Sequence, residues 1–199
     1  FANDVRKRIR DEKAYLFQNP IYGADVALLD STHAAIISYQ YVSYGSINND
    51  GITGAPVNQN SLFASEQVRE PKIGVLSSTK FVVLYSNATN YKVKAFEVSG
   101  GRITWGTTVQ LDTVAGTGGL TAIVGIDSTK FVAVYKESSG SFLIYSKVGT
   151  VTGTSIALGT RDTVEAVNVH NGLDAVANDS PYVLVRFRHS PFLGNTRPL

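Results

Sequence analysis

The stretch SSTKFVVLYSNATNYKVKAFEVSGGRITWGT, Ser77–Thr107, decides the fold of this chain. A polar turn comes before an apolar run, Phe81–Tyr85, and a second run, Tyr91–Val98, alternates apolar and charged residues. Two glycines then lead into a short segment, Ile103–Trp105. Runs of this length, rich in β-branched and aromatic residues and bounded by Ser, Asn and Gly, are typical of antiparallel strands joined by tight turns. The stretch therefore predicts a compact unit of β-structure.

This pattern recurs along the chain at intervals of about 50 residues. The serine of the polar turn returns, with an apolar run on each side, at Ser31, Ser78, Ser128 and, in a degenerate copy, Ser180. A second motif, VSGGRITWGT at Val98–Thr107, returns as VTGTSIALGT at Val151–Thr160. Because two separate motifs advance together, the sequence predicts a repeated structural unit.

The apolar pattern within each unit predicts four strands, with burial that falls from the first strand to the last. The first two runs are nearly continuously apolar, as in strands buried on both faces, whereas the third alternates as in a half-exposed strand. Four-stranded repeats of about 40–50 residues are typical of propeller blades. We therefore predict an all-β, β-propeller-like array of four-stranded antiparallel blades, with three full repeats and a partial one. Another repeated β-sheet arrangement is the alternative.

The repeat divides the chain into three regions. Residues 1–22 form a basic N-terminal arm or short helix, with Arg6, Lys7, Arg8 and Arg10 among its charges, and residues 189–199 form an extended tail. The repeat domain spans residues 23–188, with units at about 23–70, 71–119, 120–171 and a partial unit at 172–188. Since the chain contains no methionine, we expect a processed or partial product.

Three and a half units leave the closure of a ring open. Residues Lys13–Asn19 can supply outer strands to the partial unit, which would give a small four-bladed ring. Alternatively, the chain is part of a longer propeller, or several chains complete one ring together. An unpaired edge strand invites pairing with another chain, so we expect some form of closure.

The composition excludes several classes of function. The formal net charge is +2 and the basic residues are spread thinly, unlike the concentrated basic face of a nucleic-acid-binding protein. The longest apolar runs, such as Phe131–Tyr135, are far shorter than the roughly 20 residues of a membrane-spanning helix. The chain has no cysteine, so disulfides and thiolate metal sites are excluded. We predict no nucleic-acid partner and no membrane insertion.

The residues predict no catalytic, cofactor or metal site. Asp30, Ser31 and His33 share one turn, whereas a Ser-His-Asp triad needs side chains that converge from separate elements. The sister turns carry Lys80 and Lys130 where this turn carries His33, so we interpret the histidine as a variable turn position. The carboxylates Glu66, Glu70 and Glu137 fall in predicted loops, and we interpret them as solvated.

The predicted loops are rich in Asn, Thr, Gly and Ser and suit polar recognition, but the sequence singles out no binding residue among them. Tyr41 and Tyr44 add aromatic surface near the first loop, and two roles stay open for Trp105, packing between units or stacking on a sugar. The links between units and the turns after each second strand are predicted at residues 56–71, 110–119, 161–171, 87–90 and 137–140.

The pattern STKFVVxY…VSGxxITWGT, at Ser78–Thr107 and again in degraded form at Ser128–Thr160, resembles repeats of bacteriophage virion structural proteins of the tail-fibre and head-fibre type. The resemblance covers about residues 24–188. It implies a non-enzymatic structural or adhesive component of an extracellular virion, without a cofactor. Its implied partners are other virion subunits, copies of itself or a cell-surface glycan. The half unit at each end departs from a complete ring.

Two other functions compete with this one. A stand-alone carbohydrate-binding propeller, or lectin, predicts the same polar and aromatic residues at one loop position of every unit, and residues 110–119 and 161–171 lack that repetition. A propeller glycosidase needs convergent acids. SGGRITW, Ser99–Trp105, resembles the Asp-box of bacterial sialidases in its Ser and Thr-Trp, but it lacks the aspartate and the spacing of that motif.

Overall fold

Within the residues that it describes, the computed structural model contains four successive antiparallel β-sheets. Sheets 1, 2 and 3 each have a central second strand that pairs with the first and third strands, and sheet 4 has two strands. The residues that the structure describes are 23–38, 41–48, 51–53, 56–57, 63, 68–87, 89–112, 120–136, 143–165, 169–177 and 183–189. The predicted arm at 1–22, including the closing segment Lys13–Asn19, and the tail beyond His189 lie outside them.

The strands follow the repeat in the sequence. Sheet 1 contains β1 (Ala24–Leu28), β2 (His33–Ser38), β3 (Tyr41–Asn48), β4 (Gly51–Thr53) and β5 (Pro56–Val57). Sheet 2 contains β6 (Arg69–Val75), β7 (Lys80–Ser86), β8 (Tyr91–Ser99), β9 (Arg102–Trp105) and β10 (Val109–Asp112). Sheet 3 contains β11 (Thr121–Gly125), β12 (Lys130–Lys136), β13 (Ile144–Thr152) and β14 (Ser155–Glu165). Sheet 4 contains β15 (Val169–Ala177) and β16 (Val183–His189).

The outermost position differs between the sheets. In sheets 1 and 2 two short strands share it, since β4 and β5 both pair with β3, and β9 and β10 both pair with β8. In sheet 3 a single strand, β14, occupies it, and the pairing with β13 shifts register twice. The all-β, antiparallel prediction is confirmed. Within the described residues no helix is long and apolar enough to cross a membrane.

The polar turn between the first and second strands is held by a side chain that accepts backbone hydrogen bonds. In sheet 3, Asp127 Oδ1 accepts from the amides of Thr129 at 2.7 Å and Lys130 at 2.8 Å. In sheet 2, Ser77 Oγ accepts from the amides of Thr79 and Lys80 at 3.2 and 3.1 Å. Short Asp and Ser side chains stabilise turns in this way, which explains the recurrence of the motif.

The third turn of the unit depends on glycine. Gly100 and Gly101, between β8 and β9, have φ angles of 57° and 75°. Two successive residues with positive φ form the tight hairpin turn whose twist matches that of the strands, and glycine adopts this conformation without steric cost. The predicted turn into Ile103–Trp105 is therefore present, with β9 beginning at Arg102.

The hydrophobic core lies between the sheets, in three clusters. Core 1 joins sheets 1 and 2, core 2 joins sheets 2 and 3, and core 3 joins sheets 3 and 4. Strand β7 contributes side chains to two cores. Phe81, Val83 and Tyr85 lie in core 1, while Val82 and Leu84 lie in core 2. Strand β12 does the same between cores 2 and 3. The second strand of a sheet is thus enclosed by both neighbours.

Burial differs from the predicted gradient. The second strands are the most deeply buried, whereas β1 is only partly buried along Ala24–Ala27. The expectation of a half-exposed third strand is also wrong for β8, in which Lys94 is only 5% exposed. The Lys94 Nζ lies 5.5 Å from the ring centre of Phe63 and 5.9 Å from that of Trp105, a cation–π arrangement that favours the buried charge.

Because β7 is enclosed between two sheets, truncating one of its side chains should destabilise the protein. Leu84→Ala should lower the free energy of unfolding by about 2–5 kcal/mol, because it leaves a cavity in core 2. The matched control is Leu184→Ala, since Leu184 is 73% exposed whereas Leu84 is fully buried. The control should change stability by less than about 0.5 kcal/mol. Chemical denaturation of both variants measures the difference, and equal effects would contradict the packing of β7 between two sheets.

The stability that Asp30 contributes to the turn of sheet 1 should depend on pH. The Thr32 amide, which donates to Asp30 Oδ1 at 2.7 Å, is the main cause that lowers the pKa of Asp30 from 3.8 to about 2. A lowered folded-state pKa contributes stability above pH 3.8 that is lost as the pH falls towards 2. Asp30→Asn should therefore destabilise the protein at pH 6, and the difference should shrink near pH 2. Ser77→Ala, which removes an uncharged acceptor from the sister turn of sheet 2, should show no such pH dependence in thermal melts.

Candidate functional site

The first strands of the four sheets lie side by side. Strand β1 contacts β6, β6 contacts β11, and β11 contacts β15. The approach is close, because a Cβ atom at Gly125 in β11 would overlap the Val75 carbonyl group in β6. Polar groups also join these strands: the Ile73 amide donates to Asp25 Oδ2 at 2.9 Å, and Thr121 Oγ1 donates to the Glu70 carbonyl oxygen at 3.2 Å.

A cavity of about 270 Å³ opens where these four first strands meet. Every one of the four sheets contributes to its wall, so the first and last sheets both reach the same cavity. We call it the axial pocket. The described residues that line it are Gly23, Ala24, Glu70, Pro71, Lys72, Leu120, Thr121 and Leu173.

Glu70 is the most unusual residue of the axial pocket. Its φ angle is 47°, the left-handed region that residues with a side chain seldom adopt, and the pairing of β6 with β7 shifts register between Arg69 and Lys72. Such a bulge redirects a side chain and is frequent beside functional sites. Backbone strain of this kind costs about 1–3 kcal/mol and often has a functional reason.

The charge of Glu70 is poorly compensated. The carboxylate is partly buried, and its loss of hydration raises its pKa, an effect that Lys72 opposes. Among the described residues, Glu70 makes no side-chain hydrogen bond, and it forms no ion pair within 4.0 Å with Lys72 or any other cation. The pocket therefore presents a carboxylate and an ammonium group that lie near each other without being paired.

The prediction that Glu70 lies in a solvated loop is wrong. Glu70 lies in β6 and lines the pocket. The predicted links between units are also shorter than expected, because residues 110–112 belong to β10, residues 161–165 to β14 and residues 169–171 to β15. Glu66, Glu137 and the turn at 137–140 lie outside the described residues.

The histidine turn serves the hairpin. His33 Nδ1 lies 3.0 Å from Asp30 Oδ2, and the His33 ring stacks on Tyr44 with 5.1 Å between ring centres. All three residues belong to sheet 1, on β2, β3 and the turn before β2. Trp105 packs against core 1, between sheets 1 and 2. His33, Tyr44 and Trp105 are all absent from the described lining of the axial pocket. The described residues contain no group of three or more side chains suited to hold a metal.

Comparisons with known proteins give a likeness of fold. No family model and no curated protein matches the chain. A solved structure of NanB with optactamide matches with a TM-score of 0.53 and 14% sequence identity. The match covers 81% of this chain and 26% of the NanB chain, so the chain spans about a quarter of that structure. NanB is a sialidase with a propeller fold. At this identity the likeness concerns the fold alone.

The strain at Glu70 makes a prediction about stability. Glu70→Gly should raise the free energy of unfolding by up to about 1 kcal/mol, because glycine adopts positive φ freely and the half-buried charge is removed. Gly23→Ala should have the opposite effect, since Gly23 has a φ of 78° and its Cβ would lie 3.3 Å from the Glu70 Cα atom. Thermal melts compare the two, and a strong loss of stability in Glu70→Gly would show that the side chain has a structural role.

Proposed function

We propose that the chain is a non-enzymatic attachment module of β-propeller type, carried by a bacteriophage particle and directed at a host surface. The observation that carries the proposal is the axial pocket, which is lined by strands of all four sheets and holds two charges that form no ion pair among the described residues. A scaffold of packed sheets with partly buried polar groups at a cavity suits recognition of a small polar ligand. The ligand would belong to a polymer on the cell surface.

The arrangement of the sheets supports a propeller. The first strands succeed one another in chain order, and the first and last sheets reach one cavity, as blades do around an axis. The fold likeness to NanB agrees with this arrangement. We propose four blades, the last of which has two strands within the described residues, β15 and β16. Its outer strands would come from another part of the chain or from a partner subunit.

The virion assignment is supported by sequence. The pattern at Ser78–Thr107 resembles repeats of phage fibre and structural proteins, and these proteins act by attachment and assembly. A location on the particle would also provide many copies, which turns weak single sites into strong attachment. Other virion subunits or further copies of this chain are the proposed assembly partners. A stand-alone lectin is the alternative function, and it would use the same pocket without a particle.

The pocket favours binding over hydrolysis. Glycosidases of the common type place two carboxyl groups on opposite sides of the scissile bond, about 5–9.5 Å apart. The lining of the axial pocket, within the described residues, contains one carboxylate, Glu70. Its neighbour on the same strand is the cationic Lys72 rather than a second acid. This pair suits hydrogen bonding to a ligand.

Attachment can be tested with the full chain displayed in many copies on beads. The beads should bind the envelopes of a subset of bacteria, and periodate treatment of the envelopes should abolish binding because it cleaves sugar diols. A panel of chromogenic glycosides, sialosides included, should show no turnover. Failure to bind any envelope would overturn attachment, and hydrolysis of any glycoside would overturn the non-enzymatic assignment.

A further inference from the structure

We infer that the axial pocket binds a single neutral sugar ring, with Glu70 and Lys72 holding two neighbouring hydroxyl groups of that ring. The inference rests on the proposed function in one respect, since it names the ligand class of the same pocket. It follows from three properties of the lining: the two charges, the apolar wall and the volume.

The two charges select a ligand that donates and accepts hydrogen bonds at adjacent positions. A carboxylate only accepts hydrogen bonds, and an ammonium group only donates them. Glu70 and Lys72 are two residues apart on β6 and line the same cavity, yet they form no ion pair within 4.0 Å in the described part of the chain. A vicinal diol satisfies both groups, because each hydroxyl can donate and accept.

Charge balance favours a neutral ligand. Within the described part of the lining one side chain is positive and one is negative, so a charged ligand would gain an attraction from one and a repulsion from the other. Recognition of acidic groups typically uses a planar guanidinium, which pairs with a carboxylate through two hydrogen bonds. The cation in the described lining is the Lys72 ammonium. An ammonium group is a point charge without a fixed planar geometry, and it can donate hydrogen bonds to hydroxyl groups.

The apolar wall and the size suit the carbon skeleton of a sugar. Pro71, Leu120 and Leu173 supply hydrocarbon surface opposite the C–H groups of a ring. The volume of about 270 Å³ lies just below the range of about 300–1,000 Å³ for sites of drug-sized ligands, so the cavity has room for one sugar ring. No aromatic side chain belongs to the lining among the described residues. We therefore expect a dissociation constant in the millimolar range.

The strained backbone fits this role. Glu70 has a φ of 47°, and its side chain makes no hydrogen bond or ion pair among the described residues, so no local contact accounts for the strain. The bulge at Arg69–Lys72 directs both Glu70 and Lys72 to the cavity wall. The side chain and the strain therefore have one explanation, the presentation of a carboxylate to a ligand.

The test is a ¹H–¹⁵N NMR titration of the full chain with neutral methyl glycosides of glucose, galactose and mannose. At least one should shift the amides of Gly23, Ala24, Glu70, Lys72 and Thr121 and saturate in the millimolar range. Glu70→Ala and Lys72→Ala should each weaken binding about tenfold or more, since each removes hydrogen bonds to a charged group. Arg102→Ala, at the exposed turn of β9, should bind as the parent does.

Each outcome decides the inference. It is overturned if no neutral glycoside shifts these amides, if Glu70→Ala, shown to be folded by its spectrum, binds undiminished, or if glucuronate, glucosamine or the zwitterion alanine binds more tightly. Envelope binding by the beads that persists in both pocket variants also overturns it while attachment stands. Pocket shifts without envelope binding would overturn attachment and leave the sugar site.

Discussion

The structure depends on second strands that are apolar on both faces. In β7 the side chains alternate between core 1 and core 2, and in β12 they alternate between core 2 and core 3. A sheet whose central strand must be covered on both sides cannot bury its apolar surface alone, so sheets 2 and 3 each need two neighbours. The approximately 50-residue repeat of the sequence is therefore a repeat of inter-sheet contacts. This requirement makes the stacking of sheets, rather than any single hairpin, the source of stability.

The same stacking produces the candidate site. Because every sheet packs on the next, their first strands come together closely enough that only glycine fits at Gly125 against the Val75 carbonyl group. Packing of this kind leaves a cavity at the starts of the strands, where polar residues meet. The bulge in β6 lies at that point and carries Glu70 and Lys72, which form no ion pair among the described residues. Fold and site thus share one cause, and the strain at Glu70 is a local cost that the surrounding core can support.

Sequence reasoning predicts the parts of this fold that depend on local chemistry. The Asp and Ser turns, the glycine pair at Gly100–Gly101 and the apolar second strands are all visible in the repeat. The site is not, because a bulge depends on the register between two strands, and register is set by contacts with neighbouring sheets. Glu70 stands beside Pro71, and that pair is the one local signal of irregular backbone in β6. The burial of Lys94 was missed for a similar reason, since its aromatic neighbours come from distant positions.

The most direct test of the account is native-state hydrogen exchange of the full chain across increasing denaturant. We expect the amides of β7 and β12 to exchange through the same opening, with equal free energies and equal denaturant dependence, because core 2 joins the two strands into one cooperative unit. Free energies that differ widely between β7 and β12, each with its own small denaturant dependence, would contradict it. That result would mean that the sheets open independently of one another.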